Sequence, residues 1–242
     1  MDNPAAGLLL DMGMGKTVVS LTVADKLLND YFMVWKILVI APLKPAKDTW
    51  LPEIAKWDHL NHLSASLIIG SQQERLAALR RDADIYIINR ENVVWLVNYY
   101  KNKWPFDMVI IDELSSFKSS KAQRFRALKK VRKYIKRIVG LTGTPSPNGL
   151  LDLWSEMYLL DEGKALGRTL TSYRDTYFIP DKRNATSIFS WKPKTDAEEL
   201  IYDKLDDLCI SMKVADYLNF PKGYFSGVKL RCPVRLWKYI KH

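Results

Sequence analysis

Three short segments, far apart in the chain, hold the residue types that could handle a phosphorylated ligand. Gly13-Met14-Gly15-Lys16-Thr17 joins a short apolar run to a helical pattern. Glycines at such a junction let the backbone turn tightly and set its N–H groups against phosphate oxygens. The helix N-terminus adds partial positive charge at the same place. Met12, Gly13, Met14, Gly15, Lys16 and Thr17 would then surround an ATP polyphosphate. Lys16 would reach the β- and γ-phosphates, and the Thr17 hydroxyl would bind Mg2+. The loop departs from the strict pattern at one place, because the glycine expected five residues before Gly15 is Leu10.

The second segment is Met108-Val109-Ile110-Ile111 running into Asp112-Glu113. A buried strand that ends in two acids sets both carboxylates at a sheet edge. Asp112 would hold Mg2+, directly or through water, because that ion prefers oxygen ligands. Glu113 would orient and deprotonate an attacking water. Phosphoryl transfer is mostly positioning and charge stabilisation, so both roles need fixed geometry. In the third segment, Ile138-Val139-Gly140-Leu141 leads into Thr142-Gly143-Thr144-Pro145. Its threonine hydroxyls would either bond the acidic pair or report the γ-phosphate to another surface; taken alone, the segment also reads as an ordinary strand exit.

These segments converge only if the elements carrying them share one sheet. Apolar runs at Gly7–Leu10, Ile37–Ala41, Ala65–Ile69, Ile85–Ile88, Met108–Ile111 and Ile138–Leu141 read as strands, each followed by a polar turn and a helical pattern. Several are apolar on both faces, the mark of a parallel sheet covered by helices on each side. Right-handed crossovers then put every strand C-terminus on one edge, where ligands of such sheets bind. Helices are expected from Lys16 to about Leu28, from near Pro45, and from Gln72 to Arg80. In the second of these Trp50, Ile54 and Trp57 share a face, and Trp50, Trp57 and Trp154 are all expected to point inward. Beyond Leu160 turn formers and aromatics dominate to Pro193 with no clear strand, and a helix follows over roughly Asp196–Asp207.

Composition limits the function classes. Nearly half of the 242 residues are hydrophobic, enough for a sizeable core, and a net charge of +10 favours a polyanionic partner. Cys209 and Cys232 lack metal-ligand spacing and make no disulfide framework. His59 and His62 have no evident third ligand. No apolar run approaches the ~18 residues of a membrane span, so no membrane partner and a cytoplasmic location are expected.

Taken together, the motifs resemble those of the Swi/Snf branch of superfamily-two helicases. Leu8 to Thr17 resembles that family's motif I, and Val39-Ile40-Ala41-Pro42-Leu43 with Trp50 and Glu53 resembles motif Ia. Ile111-Asp112-Glu113 resembles motif II, and Leu141 to Pro145 with Asn148 and Leu153-Trp154 resembles motif III. The form is most similar to the bacterial and phage members. The resemblance implies an α/β fold: a RecA-like P-loop NTPase three-layer sandwich with a mainly parallel central sheet and a helical C-terminal extension. It divides the chain into a core over 1–160, a mostly helical extension over 161–213, and a linker over 214–242 toward a second RecA-like lobe. It implies an ATP- and Mg2+-using motor on double-stranded DNA, with Thr142, Gly143 and Thr144 coupling the site to movement. Pro42, Leu43 and Lys44, then Asn89 and Arg90, would touch the DNA backbone. The sequence departs from many relatives at Leu114-Ser115, where they carry Ala-His, so coupling is expected to involve Ser115 or to be altered. Relatives also carry an upstream glutamine motif that reads adenine, and a second lobe that supplies an arginine finger. Neither is in this sequence, so weak ATP–Mg2+ binding and slow hydrolysis are expected of this chain alone.

Lys118 to Arg137 hold ten Lys or Arg and no acid. Phe125, Leu128 and Ile135 give that stretch a buried stripe, which leaves a basic face, including Lys129 and Arg132, as a duplex-tracking or simply solvated surface. Two other readings stay open. A P-loop small-molecule kinase would need a lid and an acceptor pocket but not Thr142-Gly143-Thr144. A non-catalytic module binding nucleic acid or protein would not need Lys16, Asp112 and Glu113 intact.

Overall fold

The strands form because their side chains are apolar on both faces and find a helical layer on each. The computed structural model describes residues 3–143, 149–182, 184 and 188–212. β1 (Ala5–Leu10) leads through a loop into α1 (Lys16–Asp25), whose last turns widen into a π-helical segment over Lys26–Asp30. β2 (Ile37–Ala41), α2 (Leu43–Asp48), α3 (Trp50–Lys56), β3 (Ala65–Ile68), α4 (Gln72–Arg80) and β4 (Ile85–Asn89) follow. Then come α5 (Val93–Tyr100), β5 (Met108–Asp112), α6 (Gln123–Val131), β6 (Arg137–Thr142) and α7 (Leu150–Asp161). Each expected strand is present to within two residues at either end.

The main sheet runs β3-β4-β2-β5-β6-β1 and ends on one further strand, with every pair parallel. Alternate side chains of one strand serve opposite layers. Val39 and Ala41 pack with Leu21, Leu27, Trp50 and Ile54, while Leu38 and Ile40 pack with the α5, α6 and α7 side. This is the three-layer α/β arrangement expected from the sequence. Among the described residues no helix is long and apolar enough to cross a membrane.

The region after Leu160 departs from expectation. α8 (Leu170–Tyr177) is followed by β7 (Phe178–Pro180) and β8 (Trp191–Pro193), which pair as a small antiparallel sheet where no strand was expected. After α9 (Ala197–Leu205), β9 (Cys209–Met212) joins the main sheet as its edge strand, parallel to β1. The segment expected as a mostly helical extension therefore sends its last strand back into the core sheet. The stretch 214–242 lies outside the described residues.

The helix expected near Pro45 is two helices, and a proline explains the division. A proline removes the backbone N–H that would bond four residues back, and its ring clashes with that carbonyl. Pro52 would do this to Asp48. The chain instead breaks at Thr49 (φ −119°, ψ −56°), which leaves Pro52 in the first turn of α3, where no such bond is required. Trp50 and Ile54 are buried as expected. Trp57 is not: the helix ends at Lys56, and the ring lies exposed with its indole N–H on Glu53 Oε2 at 2.8 Å. Helical spacing carried past the true helix end gave the inward expectation.

Arg132 is a second correction. It sits in the basic run, yet its guanidinium is buried. It donates to the Leu159, Leu160 and Ile135 carbonyls at 2.6, 2.5 and 2.9 Å. It thus satisfies the open carbonyl end of α7 rather than facing solvent. Lys129 lies over the Tyr158 ring at 4.1 Å. The exposed basic surface of α6 and the turn after it is carried by Arg126, Lys129, Lys130, Lys133 and Lys136.

One acid of α7 is buried without compensation. Glu156 is inaccessible to solvent, and neither carboxylate oxygen has a hydrogen-bond partner. Burial, reinforced by Asp152 and Glu113 and opposed by Lys118, pushes its carboxyl from 4.5 up to about 8. The folded state then keeps a proton that the unfolded chain has released. The stabilisation is complete below about 4.5 and disappears as pH rises toward about 8. Glu156→Gln should therefore flatten the decline of unfolding temperature across that window, measured by thermal melts at a series of pH values. An identical decline in both proteins would contradict the assignment of a neutral Glu156.

Candidate nucleotide-binding site

Register places the chemistry-bearing residues in neighbouring rows. Leu8 lies beside Leu141, Leu9 beside Thr142, and Leu141 beside Asp112. The loop after β1, the acids after β5 and Gly143 after β6 therefore leave one edge of the sheet, on three adjacent strands. Of the two acids expected to meet the lysine near the start, Asp112 is the one on which the Lys16 charge acts, lowering its pKa against the effect of burial. Thr144 lies outside the described residues.

The loop takes its shape from two glycines. Gly13 (φ 81°) and Gly15 (φ 71°) are left-handed, and Gly15 is the residue from which α1 starts. Leu10 is the buried last residue of β1, so the loop begins only at Asp11; the position where a glycine was missing belongs to the strand. The Lys16 ammonium donates to the Leu10 and Asp11 carbonyls at 2.7 and 2.9 Å. Those bonds draw the loop around the lysine. Met12, at the tip, is almost fully exposed, and Thr17 is partly buried in the first turn of α1.

Asp112 closes β5 with its carboxylate largely shielded from water. Burial raises its pKa above the ordinary value; the Trp50 hydrogen bond opposes that, Glu113 adds to it, and Lys16 opposes it. The Trp50 indole Nε1 donates to Asp112 Oδ2 at 3.0 Å. The sequence had pointed to Trp50 as core and, by resemblance, as part of motif Ia, but not as a partner of Asp112. A buried indole N–H needs an acceptor, and that requirement was the one available signal.

Glu113 takes a left-handed backbone (φ 64°, ψ 64°), unusual for a residue with a side chain. The cause is on the neighbouring strand. Leu114 is fully buried against Gly140, where a Cβ would lie 2.7 Å from Leu114 Cδ2 and 3.1 Å from Leu160 Cδ2. Drawing Leu114 inward swings the chain sharply at Glu113 and projects its carboxylate along the edge. There it accepts a hydrogen bond from the Ser115 hydroxyl, and the Thr142 hydroxyl stands 3.5 Å from the same oxygen. Ser115, the residue in the unusual Leu-Ser sequence, thus contacts the acid pair directly.

The donor set suits a hard divalent cation. Thr17 and Asp112 offer oxygen ligands, and Mg2+ commonly takes only one or two protein oxygens beside waters and phosphates. Among the described residues no group of three or more His, Cys, Asp or Glu side chains could hold a metal alone. His62 bonds Asp25 and His59 bonds Thr22, so both clamp α1.

The five positions implied in DNA contact differ in availability. Leu43 and Lys44 are exposed at the start of α2, and Pro42 just before them is partly exposed. Asn89 is buried, donating to Glu91 at 3.0 Å and accepting from Asn92 at 2.6 Å. Arg90 is paired with Glu91 at 2.9 Å. A cleft of about 370 Å3, lined by Asn3, Arg132, Glu162 and Lys204, opens beside Pro4 and Ala5 at the start of β1, the opposite edge from Lys16.

The profile of the SNF2-related domain matches residues 2–210. Protein p41 of Acyrthosiphon pisum secondary endosymbiont phage 1 is 36% identical over 230 residues, which cover 93% of this chain and 50% of that protein. The SWI/SNF-related matrix-associated actin-dependent regulator of chromatin subfamily A-like protein 1 of Bos taurus is 30% identical over 148 residues, 61% of this chain and 14% of that protein. The Sulfolobus solfataricus SWI2/SNF2 ATPase core in complex with dsDNA has the same fold. Its TM-score is 0.69 at 23% identity, over 86% of this chain and 40% of that one. The chain spans half or less of each of these relatives.

The loop geometry gives a direct test. A Cβ at Gly15 would meet only Val18 Cγ1, at 3.4 Å, so space is not the constraint. The left-handed backbone is, and Gly15→Ala should destabilise the fold by about 1–2 kcal/mol, read by urea unfolding. No loss would mean that the loop does not hold this conformation in solution.

Proposed function

The chain belongs to the SNF2-related family, and on that premise we propose that it is the ATP-binding lobe of a DNA-dependent ATPase that translocates on or remodels duplex DNA. What carries the reading is the arrival of Lys16, Asp112, Glu113 and Thr142 at one sheet edge from separate parts of the chain. In it the residues of 12–17 wrap the polyphosphate, and Lys16 leaves its loop carbonyls for the β- and γ-phosphates. Thr17 and Asp112 hold Mg2+, which neutralises phosphate charge when bound. Glu113, steadied by Ser115 and Thr142, orients the attacking water and takes its proton. Thr142, Gly143 and Thr144 relay the state of the site.

Duplex DNA is the proposed partner. The likeness to the Sulfolobus ATPase core, itself in complex with dsDNA, supports it, as does the charge of +10. The start of α2, Leu43 and Lys44 with Pro42 before them, is the better-placed contact; Asn89 and Arg90 must give up their Glu91 and Asn92 bonds to serve. A second RecA-like lobe is the proposed protein partner, because an arginine finger supplied across such an interface is worth about 10³–10⁵ in rate.

Three outcomes are expected. Lys16→Ala should abolish ATP–Mg2+ binding, whereas Glu113→Gln should keep binding and lose hydrolysis; equal binding by wild type and Lys16→Ala would remove the basis of the reading. In ATPase assays with and without duplex DNA, this chain should turn over slowly, and a version carrying a second lobe far faster. DNA-stimulated turnover by this chain equal to the longer form would overturn the two-lobe requirement. Charge reversal at Lys130 and Lys133 should reduce the salt dependence of duplex binding; an unchanged slope would dismiss the α6 face as a DNA surface.

A further inference from the structure

Trp50 contributes to the site from an element that carries none of the phosphate-handling residues. It is the first residue of α3 and its ring is fully buried. It reaches Asp112 from the apolar cluster that it shares with residues of α1. A tryptophan N–H buried in a core needs an acceptor, and a backbone carbonyl is the ordinary one. Here the acceptor is a carboxylate oxygen, Oδ2 at 3.0 Å, which makes the bond charge-assisted and directional. Rotation of Asp112 about its side-chain torsions would break it. The bond therefore selects one carboxylate orientation. The ring belongs to the same apolar cluster as Leu21 and Ala24 of α1 and Val39 of β2.

The path to Trp50 is short and stiff. Pro42 precedes α2 directly, α2 has six residues, and the break at Thr49 imposed by Pro52 aims the indole at β5. A straight helix through 43–56 would place residue 50 at another angle. Trp50 thus stands between α2, whose first residues Leu43 and Lys44 are exposed, and the acid at the end of β5.

We propose that Trp50 is a positioning residue for the nucleotide-bound divalent cation: its indole N–H fixes the Asp112 carboxylate in the orientation that ligates the metal. The proposal rests on the reading of Asp112 as the Mg2+ ligand. Trp50 touches neither nucleotide nor metal and acts only through Asp112.

The test separates positioning from packing. Trp50→Phe keeps an aromatic ring and removes the N–H. Affinity for a fluorescent ATP analogue is measured in EDTA, where the loop alone binds, and by Mn2+ titration of the analogue-bound protein. Trp50→Phe should leave the EDTA affinity unchanged and weaken Mn2+ binding by about 10- to 100-fold, the usual effect of losing a residue that orients a metal ligand. On an Asp112→Asn background the same substitution should cause no further loss. Should Trp50→Phe fail to fold, the Trp50 indole N–H resonance of the otherwise native chain gives the same reading. It should shift when metal is added to the analogue-bound protein, and not in Asp112→Asn. Unchanged Mn2+ affinity in Trp50→Phe, an equal loss on both backgrounds, or an indole signal blind to metal would overturn the proposal. A native chain that binds no metal with the analogue would sink the functional reading itself, and the proposal with it.

Discussion

A carboxylate withdrawn from water at the end of a buried strand is the constraint around which this molecule is arranged. Asp112 lies where burial favours its neutral form, whereas the proposed role of magnesium ligand requires the charged one. The surroundings answer that conflict with an indole N–H from one helical layer and an ammonium from the phosphate loop. They also make the site conditional: each group is positioned by a different element, and only the completed sheet brings them together. Family membership and fold are consequences of that sheet, whose rows set loop, acids and threonine side by side.

The second acid is placed by packing rather than by charge. Glu113 occupies its left-handed backbone because Leu114 next to it is drawn into the space left by Gly140. A small residue in β6 and a large one after β5 thereby fix the direction of a carboxylate between them. Ser115 then occupies the place beside that carboxylate. The Leu-Ser sequence sets a hydroxyl, which can donate one hydrogen bond, on the acid.

Much of this was legible in the sequence for identifiable reasons. Strands buried on both faces read as continuous apolar runs, and the glycines and acids fall where those runs stop. What was hidden depends on distant partners. The Trp50 bond needs the break caused by Pro52 and a strand 62 residues later. Arg132 looked like one cation among ten, and only the carbonyl end of α7, 27 and 28 residues on, gives it a structural task. Trp57 followed a helical period that had already ended. β7, β8 and β9 have three or four residues each, too few for alternation to show, and they exist because neighbours offer them a ladder. The implied DNA positions were transferred by resemblance, and Asn89 shows the limit of such transfer, since its amide is already engaged.

The position of β1 has a consequence for how the chain is made. β1 is the first of the described strands along the chain, but it is seated between β6 and β9, the sixth and the last of them. While β2 to β5 can assemble among themselves as they emerge from the ribosome, β1 has no strand beside it until residue 142 is out, and its outer side stays bare until residue 212. Unpaired strand edges in a nascent chain invite wrong partners. The phosphate loop is therefore the earliest part of the site to be translated and the last to be locked in place. Closure of this sheet thus waits on residues 209–212 rather than following the order of the motifs.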